Sequence, residues 1–159
     1  MDEMIHGHLV RRADAEKWDL RFLNVAKEHA MWSKDPSTKT GAVIVRPDRT
    51  EASYGYNGFP KGMPDDTELY INRDEKYSRI IHCEMNALIN ARERLTSYTL
   101  YTWPFASCDR CVVHMIQAGI SRFVFPSPSV DALSRWADSI ARTKRYIVEV
   151  GAYWTEVTD

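Results

Sequence analysis

The chain has 159 residues, 44% of them hydrophobic, which predicts one domain spanning residues 1–159 around a single core. Its 21 basic and 22 acidic residues nearly cancel, which argues against a general binder of long nucleic acids. The start of the chain, residues 1–10, lacks the apolar run of a secretory signal, and no later stretch is apolar enough to span a membrane. We therefore expect a cytoplasmic protein.

The N-terminal half predicts a helix, a hairpin and a long loop. Apolar residues at helical spacing predict an amphipathic helix over residues 14–33. Two extended segments, 41–45 and 51–56, are separated by turn-forming residues and predict a hairpin. Residues 56–81 predict a polar loop, and a loop of that length is more often functional than idle.

Helices and strands alternate in the C-terminal half. The predicted helices cover residues 84–95, 109–118 and 129–150, and Gly119 lies at the C-cap of the second. The predicted strands cover residues 99–103, 121–125 and 153–157, the last at an edge of the sheet. This order predicts an α/β fold, a three-layer α/β/α sandwich with a mixed five-stranded sheet.

Two short motifs combine residue types that carry chemistry, His82-Cys83-Glu84 and Cys108-Asp-Arg-Cys111. Taken singly, each has an ordinary interpretation. A histidine or glutamate at a helix start is usually a polar surface residue or a partner of the helix dipole. A C-x-x-C motif can be a redox pair, half of a structural zinc site, or two small core residues.

Taken together, the two motifs predict a catalytic zinc site. The three cysteines are an odd number, which argues against a disulfide framework and favours metal binding or chemistry. Catalytic zinc takes three protein ligands and leaves its fourth position for water, and His82, Cys108 and Cys111 supply three. No other histidine has a spacing that completes a closed structural site. Glu84 lies two residues from His82, where it could move protons during catalysis without binding the metal.

Beyond these residues, the chain resembles the cytidine and deoxycytidylate deaminase superfamily, whose signature is H-x-E…P-C-x-x-C. The resemblance extends over about residues 20–125. It is carried by SKDPSTKTGAVIV at 33–45, GYNGFP at 55–60, HCEMNA at 82–87, CDRC at 108–111 and IQAGI at 116–120. It implies a cytidine deaminase-like fold, a Zn²⁺ cofactor, and hydrolytic deamination of dCMP to dUMP with release of ammonia.

The resemblance also implies a nucleotide site. The candidates for substrate binding are Asn57, Lys34, Trp103 and Ser107, with Lys61, Arg73 and Phe105 as further candidates near the phosphate or the base. Each has a plain alternative as a turn residue, a surface charge or a core aromatic. Some relatives are homo-oligomers regulated by dCTP or dTTP, and the candidate effector loop contains Gly55, Gly58 and Lys61.

The chain departs from the family pattern at two positions. Cys83 stands where alanine is usual, and we predict a small buried residue there. Ser107 replaces the proline that normally precedes the first cysteine, and its position predicts the N-cap of the following helix. We expect the replacement of this proline by Ser107 to reshape the base pocket.

Other functions are compatible with the same residues. One retains the chemistry but acts on a 5-substituted deoxycytidine nucleotide, a free nucleoside or a tRNA adenosine; the near-zero net charge argues against the tRNA. Another is a structural zinc module, in which Glu84 would be dispensable.

Overall fold

The computed structural model describes residues 6–159, and residues 1–5 lie outside the described part. The prediction that residues 1–10 are not a secretory signal therefore lies partly outside the described residues. The strands are β1 Gly7–Arg11, β2 Gly41–Val45, β3 Glu51–Tyr56, β4 Thr99–Trp103, β5 Arg122–Pro126 and β6 Tyr153–Thr158. The helices are α1 Lys17–Ala30, α2 Thr67–Ile71, α3 Arg73–Arg79, α4 Cys83–Asn90, α5 Asp109–Gln117 and α6 Val130–Glu149.

One mixed sheet organises the chain, in the order β1-β6-β5-β4-β2-β3. The hairpin β2–β3 is antiparallel, and β2 also pairs antiparallel with β4. From β4 outward, the pairs β4–β5, β5–β6 and β6–β1 are all parallel. Parallel strands require crossover connections, and α5 and α6 supply them.

Side chains alternate between the two faces of the sheet and form two separate cores. Val43 and Val124 pack against α1 on one face. Ile44 and Phe123 pack toward α4, α5 and α6 on the other face. The predicted three-layer α/β/α sandwich with a mixed sheet is confirmed.

The predicted strand count is wrong, because the sheet has six strands rather than five. The missing strand, β1, lies at the edge and has only two strongly apolar residues, Leu9 and Val10, of which Leu9 is exposed. The strand β6 is consequently not an edge strand, since it pairs with β1 on one side and β5 on the other.

The segment 56–81 is not a continuous loop, since it contains α2 and α3. The polar sequence RDEKYSR of α3 has no apolar stripe to reveal its period. Its start is fixed by the side chain of Asn72, which accepts a hydrogen bond from the backbone N–H of Glu75. Among the described residues, none of the helices has the length and apolar character needed to cross a membrane.

Close packing brings α4 directly onto β3. A Cβ atom at Gly55 would lie 2.3 Å from the carbonyl oxygen of Cys83, so only glycine permits this approach. The start of α4 therefore lies against the sheet, beside the end of β4 and the start of α5.

Candidate active site

The starts of α4 and α5 bring four side chains together. Ligand atoms of His82, Glu84, Cys108 and Cys111 all lie within 4.8 Å of one another. The Nδ1 atom of His82 is 3.5 Å from Cys108 Sγ and 3.2 Å from Cys111 Sγ. The Oε1 atom of Glu84 is 3.8 Å from His82 Nδ1. The residues predicted from the two motifs thus converge at one point.

This donor set fits a zinc ion. Two sulfur atoms and one imidazole nitrogen are ligands that zinc prefers, and they face a common centre. Cys108 is the N-cap of α5 and Cys111 lies in its first turn, where the helix dipole favours thiolates. In residues 6–159 the group includes no histidine besides His82, and His114 instead contacts the carbonyl oxygen of Arg110.

The thiols of Cys108 and Cys111 interact, and their pKa values shift in opposite directions. The neighbouring Cys111 and then His82 lower the pKa of the Cys108 thiol below its ordinary value. The neighbouring Cys108, burial and the charge of Glu84 raise the pKa of Cys111. Cys108, at the helix start, is therefore the more acidic of the two.

Glu84 is held by its neighbour in the chain. The Cys83 thiol donates a hydrogen bond to Glu84 Oε2 at 3.0 Å, and both side chains are buried. Burial raises the pKa of Cys83 well above its ordinary value, so this sulfur stays a thiol and a donor. The prediction that Cys83 is a small buried residue is confirmed, and Cys83 also contacts the proposed proton carrier.

A cavity of about 490 Å³ is lined by three members of this group, His82, Glu84 and Cys108. Such a volume is in the range of small-molecule sites. Its wall comes from the loop before β2, the α2–α3 segment, the end of β4 and α6. Trp103, Phe105 and Trp136 supply aromatic surface, and Arg73, Lys76 and Arg135 supply positive charge.

Asn57 lines this cavity, but its side-chain amide already binds the protein. Its Nδ2 donates to the carbonyl oxygen of Thr38 at 2.8 Å and to Asp35 Oδ2 at 3.2 Å. Its Oδ1 accepts from the backbone N–H of Thr40 at 2.8 Å. Both amide hydrogens are thus used to order the loop of residues 35–40, which forms part of the cavity wall.

The same loop contains a buried ion pair that sequence reasoning missed. Asp35 is 1% exposed, and its Oδ2 lies 2.7 Å from Lys76 Nζ on α3. Burial alone would raise the pKa of Asp35, but hydrogen bonds from Lys76 and Ser37 outweigh it and lower the pKa. The pair joins α3 to the wall of the cavity.

Several predicted residues lie elsewhere. Lys34 does not line the cavity and pairs with Asp65 at 2.6 Å on the surface. Lys61 is exposed and also lies outside the lining. Gly58 forms a bridge with Ile81, which ties the start of the 56–81 segment to its end.

Ser107 is buried and is not part of the cavity lining. The prediction that Ser107 caps α5 is wrong, because the N-cap is Cys108. The predicted first residue of the helix, Asp109, is nevertheless correct. The backbone carbonyl of Ser107 accepts a hydrogen bond from Thr143.

The residues that α6 contributes were also missed. Arg135, Trp136 and Ser139 line the cavity although α6 follows the metal motifs by about two elements. No local motif marks them, because their position results from the packing of α6 against α5. Only their spacing on one helix face, combined with a known fold, could have indicated them.

The fold and this cluster together define a zinc-dependent deaminase site, and comparisons with known proteins agree. The cytidine and deoxycytidylate deaminase zinc-binding region matches residues 16–127. The chain belongs to this family and is an enzyme of the deaminase class.

Individual relatives support the assignment. An uncharacterized deaminase of Aliivibrio fischeri is 36% identical over 135 residues, covering 85% of this chain and 90% of that one. The deoxycytidylate deaminase of Mus musculus is 35% identical over 123 residues, covering 74% and 68%. The fold resembles that of the dCMP deaminase from cyanophage S-TIM5, solved in complex with dCMP and dUMP, with a TM-score of 0.73 at 18% identity over 89% and 98% of the two chains.

Proposed function

We propose that this enzyme hydrolyses dCMP to dUMP and ammonia, with zinc held by His82, Cys108 and Cys111. The observation that carries the proposal is the position of Glu84 at the floor of the cavity, within 4.8 Å of all three candidate ligands. These three residues would hold the zinc, which would supply a Lewis acid able to lower the pKa of an adjacent water molecule to about 7.

Glu84 carries the protons in this proposal. Its carboxylate takes a proton from the attacking water as oxygen adds to C4 of the pyrimidine, and delivers it to N3. The remaining proton passes to the exocyclic amine, which leaves as ammonia. Oε2 of Glu84 already accepts a hydrogen bond from the Cys83 thiol, whereas Oε1 lies 3.8 Å from His82 Nδ1. Oε1 is therefore the oxygen better placed for this transfer.

The rest of the cavity suits a nucleotide. Trp103, Phe105 and Trp136 offer flat apolar surface for a base and a sugar, and Arg73 and Arg135 offer guanidinium groups for a phosphate. Asn57 shapes the cavity wall in this proposal. Lys34, Lys61 and Ser107 are not proposed as direct substrate contacts.

Four further statements are part of the proposal. Residues 1–159 act as a single deaminase domain, a view supported by the continuous sheet through residues 6–159. The enzyme works in the cytoplasm, assembles as a homo-oligomer and responds to dCTP or dTTP at the loop containing Gly55, Gly58 and Lys61. The cytoplasmic location is an expectation from the sequence, and the other two are expectations from the family.

An ammonia-release assay on zinc-loaded protein tests the function. The compounds offered are dCMP, dCTP, CMP, deoxycytidine and 5-methyl-dCMP, each with wild type and with Glu84→Gln. We expect preferential turnover of dCMP and a loss of about 10²- to 10⁴-fold in the variant, with zinc retained. Preference for 5-methyl-dCMP or deoxycytidine would instead select the alternative substrates, and an unaffected Glu84→Gln would refute the proton-transfer role.

A further inference from the structure

We propose that Ser139 and Thr143, two hydroxyl side chains of α6, are positioning residues that fix the geometry of Cys108 for metal binding. The proposal rests on the proposed function in one respect, that Cys108 is a zinc ligand. The hydroxyl groups of both residues bind the segment that contains Cys108. Both act on the backbone on either side of the cysteine.

Ser139 holds the backbone after Cys108. Its Oγ accepts a hydrogen bond from the backbone N–H of Asp109 at 3.0 Å and donates one to Asp109 Oδ1 at 2.8 Å. Arg142, also on α6, adds an ion pair at 3.6 Å to the other oxygen of the same carboxylate. The first residue of α5 is therefore bound to α6 through both its backbone and its side chain.

Thr143 holds the backbone before Cys108. Its Oγ1 donates a hydrogen bond to the carbonyl oxygen of Ser107 at 2.7 Å. Thr143 is 1% exposed and Ser107 is buried, so water does not compete for this bond.

These two bonds constrain the cysteine from both sides. The Ser107 carbonyl belongs to the peptide plane before Cys108, and the Asp109 N–H belongs to the plane after it. The φ and ψ angles of Cys108 are the rotations between these planes and its Cα atom. Holding both planes therefore fixes φ and ψ near their values of -69° and 161°, and with them the direction of the Cα–Cβ bond.

The N-terminus of α5 needs this external support. An N-cap residue normally binds a free N–H group of the first turn through a side-chain oxygen. At α5 the N-cap is Cys108, which makes no such bond because its sulfur faces the metal group. Ser139 on the neighbouring helix supplies an acceptor for a different free N–H group of the same turn, that of Asp109. Outer partners of this kind are what orient metal ligands in proteins.

The test measures metal binding rather than turnover. Ser139→Ala and Thr143→Val are compared with wild type in zinc affinity, by competition with a chromophoric chelator, and in the absorption spectrum of the Co²⁺-loaded protein. We expect each variant to bind zinc about tenfold more weakly and to show altered thiolate-to-cobalt bands. Thr143→Ser retains the hydroxyl and is expected to restore most of the affinity lost in Thr143→Val.

Ser134→Ala is the matched control, because Ser134 lies on the same helix and bonds only to the carbonyl oxygen of Asp131 within it. The proposal is overturned if Ser139→Ala and Thr143→Val match this control in both affinity and spectrum. If Thr143→Val does not fold, the comparison of Ser139→Ala with the control tests the proposal by itself, since Ser139 is only half-buried.

Cys108→Ala distinguishes failure of this proposal from failure of the proposed zinc site. Unchanged zinc affinity in Cys108→Ala would refute the zinc site itself.

Discussion

At the scale of single residues, the positive charge of the cavity is divided between paired and available groups. Lys76 is bound to the buried Asp35, whereas Arg135 has only a loose contact of 3.8 Å with the exposed Asp131. Arg73 takes part in none of the ion pairs found among residues 6–159. Among residues 6–159, Arg73 and Arg135 are therefore the cavity cations best able to bind a phosphate.

We expect Arg73→Ala and Arg135→Ala each to raise KM for dCMP about tenfold, the usual effect of losing one charge-assisted hydrogen bond. The KM for deoxycytidine, which has no phosphate, should not change. Steady-state kinetics with both compounds measures this, and Arg79→Ala is the control, because Arg79 lies on α3 and pairs with Glu75 outside the lining. A higher KM in Lys34→Ala, with none in either arginine variant, would restore the prediction made from sequence.

The site residues that were predicted correctly from the sequence belong to short motifs. His82, Glu84, Cys108 and Cys111 could be identified because one metal site requires all of their types and spacings. Asp35, Lys76 and Arg135 could not, because a charged residue in a polar segment looks the same whether it faces water or a cavity. Their surroundings depend on contacts between segments distant in the chain.

At the scale of elements, the buried pair between the 35–40 loop and α3 makes stability depend on pH. The pKa of Asp35 is lowered in the folded protein, so its contribution is fully present above the unfolded value of about 3.9 and is lost as pH falls through the folded value. Near pH 7 we expect Asp35→Asn to lower the free energy of unfolding by about 3 kcal/mol, because Lys76 loses its partner.

Urea unfolding at several pH values checks this. The difference between wild type and Asp35→Asn should begin to shrink as the pH falls below about 4, where the unfolded wild-type chain takes up a proton at Asp35 and the folded one does not. It should be lost once the pH lies below the lowered pKa of the folded carboxyl, because the native side chain is then protonated as well. Asp65→Asn is the control, because its pair with Lys34 is on the surface and should matter little. A difference that stays constant with pH would show that Asp35 acts through shape and not through charge.

The end of α5 gives a second prediction at this scale. Gly119 has φ of 97°, and a Cβ atom there would lie 2.8 Å from Thr96 Cα. Gly151 has a similar φ of 75° but open space around it. We expect Gly119→Ala to lower the free energy of unfolding by more than about 2 kcal/mol and Gly151→Ala by about 1 kcal/mol. Equal losses in chemical denaturation would mean that the contact with Thr96 relaxes freely.

Elements were predictable to the extent that their apolar residues are periodic. The hairpin β2–β3 and helices α1, α5 and α6 have clear patterns and were found, whereas the polar α3 and the edge strand β1 were not. The register and the neighbours of each strand were harder to predict than the strands themselves. The parallel pairing of β1 with β6, for example, joins the two ends of the described chain. Such pairing is set by the whole sheet.

At the scale of the whole molecule, the candidate metal ligands lie at the starts of two helices, α4 and α5, that pack against each other. His82 begins the helix that covers β3 and β2, and the two cysteines begin the helix that packs against α6. Zinc that binds all three therefore binds the folded chain and not the separated segments. Metal binding and folding are thermodynamically linked in such a case.

We therefore expect the unfolding temperature to rise with free zinc concentration. At a thousandfold excess over Kd, the folded state should gain about 4 kcal/mol. Thermal unfolding in zinc buffers measures this dependence. Cys108→Ala should abolish it, whereas Cys83→Ala should keep it, because Cys83 is a buried thiol outside the ligand group. Equal dependence in wild type and Cys108→Ala would contradict the site, since it would place the stabilising zinc on other residues.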